Sequence, residues 1–211
     1  MRDAMALTAG NVVATWAVLL VLWSAVAAAL LQSPTGRQAL VDERVRMVEA
    51  LGGTVDDASY AALQARPPVW VYALSGGRTL LLPVTTLAVA AGLAVWPGRR
   101  RGFVASLSVA VHASAVLVLQ QLAATPLHLV RESLTSPFNL AAVMPWFDEG
   151  SLPARFFGTV EVFGLWWVLL LAIGAATLAE RRARDFVLPL VGVYVGIAAA
   201  VAVAVSMSGG S

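Results

Sequence analysis

Five long apolar stretches, at about 11–32, 79–96, 102–122, 157–178 and 186–206, constrain this chain more than anything else in it. Each is close to the 17–25 residues an α-helix needs to cross a bilayer core about 30 Å thick at 1.5 Å per residue. Runs this long with so few charges are rare in soluble proteins, whose buried helices are shorter. The expected fold is therefore all-α: a polytopic membrane helix bundle with five transmembrane helices, forming one domain over 1–211, with the lipid bilayer as its first partner.

Composition narrows the choice further. The chain is 59% hydrophobic and 12% charged, against about 25% charged in ordinary globular proteins. The longest polar connection, 33–66, is too short to hold a core of its own without staples. All fourteen basic residues are arginine, and Ala, Val, Leu and Gly dominate the rest. That pattern reads as GC-rich coding rather than a selected function. A net charge of +2 with no basic patch interleaved with aromatics argues against nucleic acid as a partner. Without cysteine there is no disulfide, no thiolate nucleophile and no Cys-ligated metal.

Ala25-Val26-Ala27 and Ala27-Ala28-Ala29 resemble signal-peptide cleavage sites. The apolar run 12–31 is nevertheless longer than the 7–15 residues of a signal core, so it is expected to be a retained first span. Arginines then set the orientation. Arg99-Arg100-Arg101 and Arg181, Arg182 and Arg184 occupy the two shortest connections, where the positive-inside rule is strongest. Placing both in the cytoplasm puts the N-terminus inside and the C-terminus outside. The two long connections, 33–78 and 123–156, then face outward.

The outward connections carry helix signals. Val41, Val45, Val48 and Leu51 recur at helical spacing, and Asp42 and Arg46 form an acid-to-base pair four residues apart. Gly52-Gly53 is a stop. Thr54-Val55-Asp56-Asp57 resembles a capping box opening a second short helix that Pro67-Pro68 ends. A helical hairpin over about 37–66 is expected on the outer face. Further on, Ser136-Pro137 reads as an N-cap with proline at the first helical position, and Pro145 ends that short helix.

Ser136-Pro137-Phe138-Asn139-Leu140, Met144-Pro145-Trp146-Phe147-Asp148, Glu161-Val162-Phe163-Gly164-Leu165-Trp166-Trp167 and Leu171-Ala172-Ile173-Gly174 follow one another in order. Over 136–174 this series resembles bacterial members of the Yip (Ypt-interacting protein) domain family. The resemblance implies a single Yip-like five-span domain, here in the bacterial cytoplasmic (inner) membrane, with an unassigned biochemical role. Eukaryotic members act in vesicle trafficking with small GTPases through a sizeable cytosolic N-terminal region. The sequence shows no sizeable stretch ahead of its first apolar run, so the GTPase role is not expected to carry over.

Few residues inside the spans can do chemistry. Glu161 is the one carboxylate within a predicted span, about a turn from its outer end, where Arg155 or Arg78 can pair with it. His112 falls near the middle of the third span, level with Trp23, Trp167 and Tyr194. A hydrogen bond across helices, to Tyr194 or Ser24, is its expected use. Gln120 and Gln121 complete the candidate polar positions. Nothing resembles H-E-x-x-H, G-x-S-x-G or a Walker loop, so neither an enzyme nor a cofactor or metal site is expected.

Gly192, Gly196, Ala200 and Ala204 form a four-residue repeat of small side chains along the fifth span. Such stripes let helix backbones approach closely. The expected neighbour is another span of the same chain, and a homodimer through this span is the alternative. Trp16, Trp70, Trp96 and Trp146 are expected as interface anchors, Trp23, Trp166 and Trp167 as fillers. The leading functional expectation is a non-enzymatic membrane-organising or accessory protein with a membrane-protein partner. The alternative is a small transporter or accessory permease subunit using Glu161, His112, Gln120 and Gln121.

Overall fold

The first apolar run and the residues before it form one helix, α1 (Arg2–Gln32), which stops at Ser33 for local reasons. The Ser33 hydroxyl donates to the Leu30 carbonyl at 2.6 Å and accepts from the Gly36 N–H at 2.9 Å. It thereby caps α2 (Pro34–Ala50), whose proline sits where a helix has no use for an N–H. Gly36 is seated on the end of α1: a Cβ there would overlap the Leu30 carbonyl and stand 3.1 Å from the Leu31 Cα. The computed structural model describes residues 2–50, 53–65, 79–96, 102–131, 136–144, 146–148 and 151–208.

α2 and α3 (Asp57–Ala65) make the expected helical hairpin. Gly53 donates to the Val48 carbonyl at 2.9 Å, closing the C-terminal turn of α2. Asp56 caps α3 by accepting from the Ser59 N–H at 2.9 Å, and those contacts hold its carboxyl below the ordinary range. A polar network ties the two helices. The Tyr60 hydroxyl donates to Asp42 at 2.7 Å, and Gln64 donates to the Gln38 side-chain carbonyl at 2.6 Å. The carboxylate that accepts from Tyr60 pushes that phenol's pKa up. Val41, the first of the expected apolar face, is buried. Gly52, Pro67-Pro68, Trp70, Arg78, Arg99-Arg100-Arg101, Pro145 and the Arg46 side chain lie outside the described residues.

The remaining elements are α4 (Leu81–Val95), α5 (Phe103–Arg131), a 3-10 turn (Leu140–Val143), α6 (Leu152–Thr159), α7 (Val162–Ala179) and α8 (Arg184–Ser208). Among the described residues the fold is all-α, apart from one isolated bridge between Asn139 and Glu161. Four helical segments are long and apolar enough to cross a membrane: Ala9–Gln32, Phe103–Arg131, Val162–Ala179 and Arg184–Ala204. α4 is apolar but only 15 residues long. The chain is an integral membrane protein by this measure.

α5 is the hub, with α1, α4 and α7 packed around it and α8 against α7. Val12, Leu19, Leu82, Ala90, Val111 and Val118 form one core where α1, α4 and α5 meet. Ala172, Ala175, Ala176 and Phe186 form a second between α7 and α8. Lipid offers no hydrophobic drive toward association, so close fit must hold these helices together. Two glycines of α7 supply it. A Cβ at Gly174 would overlap the Val109 side chain of α5, and one at Gly164 would overlap the Tyr194 hydroxyl of α8. The α7–α8 turn closes with Glu180 in the left-handed region at φ 55°, where the Arg181 N–H reaches the Ala176 carbonyl at 3.0 Å.

Three sequence expectations need correction. The third span does not end at Leu122; its helix runs through Pro126 to Arg131, because a proline removes one hydrogen bond without forbidding the turns on either side. The fourth span does not begin at Phe157. Phe157 lies in the separate short helix α6, and the chain is extended at Val160 and Glu161 before α7 starts. The helix over 137–144 is replaced by a turn, with Asn139 rather than Ser136 capping the 3-10 segment through a 2.8 Å bond from the Ala142 N–H.

Candidate functional site

The two extended segments that interrupt the helices are paired with each other. Leu140 donates to the Val160 carbonyl at 2.9 Å and Val162 to the Phe138 carbonyl at 3.0 Å. Asn139, 8% exposed, locks the first segment by also donating to the Ser136 carbonyl at 2.9 Å. Phe138 meets Phe163 edge-on, with ring centres 5.0 Å apart. The break therefore has its backbone groups satisfied by tertiary partners, which a chain at membrane depth requires.

Glu161 sits on this break, as the residue preceding α7 rather than within it. Its carboxylate accepts from the Gln120 side-chain amide of α5. The Ser136 hydroxyl and the His128 ring are its other polar neighbours. Its backbone N–H donates to the Tyr194 hydroxyl of α8 at 3.1 Å. One residue thus joins α5, the 136–140 segment, α7 and α8. The expectation set Glu161 against Arg155 or Arg78; Gln120 meets its carboxylate, and Arg78 lies outside the described residues.

The other candidates do not gather here. Gln121 is half-buried and takes no part in the cluster; its backbone carbonyl accepts from the Thr125 hydroxyl at 2.7 Å. His112 is exposed on α5, and its Nδ1 lies 2.7 Å from the Ser108 carbonyl of its own helix, so the expected bond to Tyr194 or Ser24 is not the one formed. Tyr194 serves Glu161 instead. Two groups that sequence reasoning passed over, and a third it had named only within the 136–174 series, prove central. Thr86 and Ser114, both 1% exposed, meet at 2.9 Å between α4 and α5. Each also reaches a carbonyl of its own helix, Leu82 at 2.7 Å and Ala110 at 2.8 Å, so one of them must share its proton. Asn139 is the third. Ser and Thr at such spacing are too common in apolar helices to announce themselves, whereas an Asn just ahead of a short apolar turn is a capping signal.

The small-residue stripe is also placed differently. Gly192, Gly196, Ala200 and Ala204 are exposed, and nothing among the described residues lies within 4 Å of a Cβ built at either glycine. Phe186, Ala198 and Ala202, two residues out of phase, are buried instead. Packing of the stripe against another described span of this chain does not occur. Trp96 and Trp146 are exposed. Trp16 and Trp23 both pack on the α1–α4–α5 core, so Trp16 is a filler, and Trp166 is exposed at 45% rather than filling the bundle.

Among the described residues no group of three or more His, Cys, Asp or Glu is arranged to hold a metal ion. Fold and cluster together define a membrane-embedded helix bundle whose polar groups link one element to the next. No protein-family model, curated protein or solved structure matches the chain.

Proposed function

We propose that this chain is a non-enzymatic accessory or organising protein of a bacterial cytoplasmic membrane, Yip-like in its 136–174 series, with five spans, its N-terminus inside and its C-terminus outside. The observation that carries the reading is the use made of Glu161: its side chain goes to Gln120 and its backbone N–H to Tyr194. These groups tie helices together rather than line a route between them. A transporter needs polar groups left over for cargo. The fifth span in this reading is α4. Its 15 residues cover roughly 22 Å, short of the core thickness by an amount that flanking residues and local thinning accommodate. Its packing along the hub helix supports counting it. Arg181, Arg182 and Arg184 at the α7–α8 turn, with Arg99-Arg100-Arg101, support the orientation.

Two measurements test it. Single cysteines introduced into this cysteine-free chain at Ser59 and Ser211 should label from outside; free labelling from the cytoplasm overturns the topology. Glu161→Gln should cost about 0.5–1.5 kcal/mol in detergent unfolding, because a side-chain amide can still accept from Gln120, and should leave cellular function intact. A pH- or potential-driven flux in liposomes that this substitution abolishes would replace the accessory reading with the transporter one.

A further inference from the structure

The bundle carries an apolar surface that belongs to no span, and the length of α7 fixes its depth. At 1.5 Å per residue the 18 residues of α7 reach roughly 27 Å, close to the thickness of the hydrocarbon core. Glu161 stands just ahead of this helix, and Glu180, Arg181 and Arg182 follow it, so polar residues mark both ends. Val162 therefore lies at one edge of the hydrocarbon. α6 ends at Thr159, separated from Val162 only by the extended Val160 and Glu161. Two extended residues cover about 7 Å, which leaves α6 at the level of the lipid headgroups.

The residues of α6 suit that level. At 3.6 residues per turn, Leu152, Phe156, Pro153 and Phe157 share one arc about 140° wide. Ala154, Gly158, Arg155 and Thr159 take the remainder. The 3-10 turn packs on α6, and rings run in a row beside it. Trp146 lies 6.2 Å from Phe147, Phe147 5.3 Å from Phe157, and Phe157 5.2 Å from Phe156. The apolar ends of this assembly are open: Trp146 is 70%, Val143 64% and Leu152 50% exposed. Asp148 beside them is exposed as well. In water, three large apolar side chains would stand bare. In the hydrocarbon core, the charges of Asp148 and Arg155 would be stranded. The boundary between headgroups and acyl chains accepts both, and aromatic rings with a polar rim favour it. We infer that α6, the 3-10 turn and Trp146 form a shelf whose partner is the lipid surface at the Glu161 end of α7. Its ring row faces the acyl chains and fixes the depth of the break that holds Glu161. The inference needs α7 to be a span and is independent of the accessory reading.

The test is spin-label depth measurement on the purified full chain in phosphatidylcholine liposomes. Single cysteines replace Val143 and Leu152 on the shelf of this cysteine-free chain. Ser59, exposed on α3, is the aqueous reference, and Val193, exposed near the middle of α8, is the hydrocarbon reference. Collisions with oxygen, which concentrates in hydrocarbon, are compared with collisions with a water-soluble nickel chelate. The oxygen-to-nickel ratios at Val143 and Leu152 should fall clearly between the two references. Trp146→Ser should move both sites toward the Ser59 value by roughly twofold, the loss of one interfacial anchor, and Trp146→Tyr should restore them. Because Trp146 is exposed, unchanged thermal unfolding of the Trp146→Ser chain shows that the shift is not misfolding. Shelf ratios equal to that of Ser59 would place the patch in water, and ratios equal to that of Val193 would place it in the core. Labels shielded from both reagents would mean that protein covers it. Each of these results, or ratios indifferent to Trp146→Ser, would overturn the inference.

Discussion

Neighbouring helices α7 and α8 both carry widely noticed membrane-packing residues, yet the two sets have opposite fates. Gly164 and Gly174 of α7 are filled against Tyr194 and Val109, while Gly192 and Gly196 of α8 face open space among the described residues. The regular four-residue repeat lies on the empty side, and the two irregularly placed glycines make the close contacts. A gap of ten residues is about 2.8 turns of an α-helix, which leaves Gly164 and Gly174 about 80° apart around the axis and facing different neighbours. Each therefore serves one contact with one helix. A repeat at constant spacing serves only a neighbour running alongside its whole length, and no described helix does so for α8. Small residues permit approach; they do not say which neighbour approaches.

That contrast can be broken by substitution, starting with the largest expected effect. Gly174→Leu should drive α5 and α7 apart and lower stability in detergent unfolding by about 3 kcal/mol, the upper end of the usual overpacking cost. A wild-type transition would show that this helix pair is not closely packed. Gly164→Ala should cost about 1–3 kcal/mol for the same reason. Here the affected neighbour is the hydroxyl that accepts from the Glu161 N–H, so the cost should shrink in a Tyr194→Phe background. A double-mutant cycle reads that coupling, and strictly additive losses would count against the contact. Gly196→Leu should change the stability of the isolated chain by no more than about 0.5 kcal/mol, as for an exposed position. A loss as large as that of Gly164→Ala would mean that the stripe is covered after all.

The candidate site was legible only in its parts. Glu161 stood out because a carboxylate in an apolar run is rare, and Gln120 because amides there are nearly as uncommon. That they meet depends on the register between α5 and α7, which no local spacing encodes. The break at Val160 was hidden by a composition that reads smoothly from Phe157 onward. Its cause is the segment Phe138–Leu140, whose carbonyl and N–H groups compete successfully for those of Val160 and Val162. Local signals did better where they acted on adjacent residues. The α2–α3 hairpin, with the Asp56 carboxylate capping α3 and the Gly53 backbone N–H closing α2, follows from bonds that reach three to five residues along the chain.

The sequence by itself determined the medium and the class of structure: an apolar run of bilayer length has no stable alternative to a helix once its backbone leaves water. It marked the helix ends more coarsely: Asp56 and Asn139 make the caps that Thr54 and Ser136 were expected to make, each with an N–H in the same turn. Tertiary structure alone decided which helix became the hub, which glycines were filled, and where Glu161 and His112 faced. Helix faces in lipid are nearly equivalent by composition. Only the mutual fit of side chains several turns apart distinguishes the face that packs from the face left open.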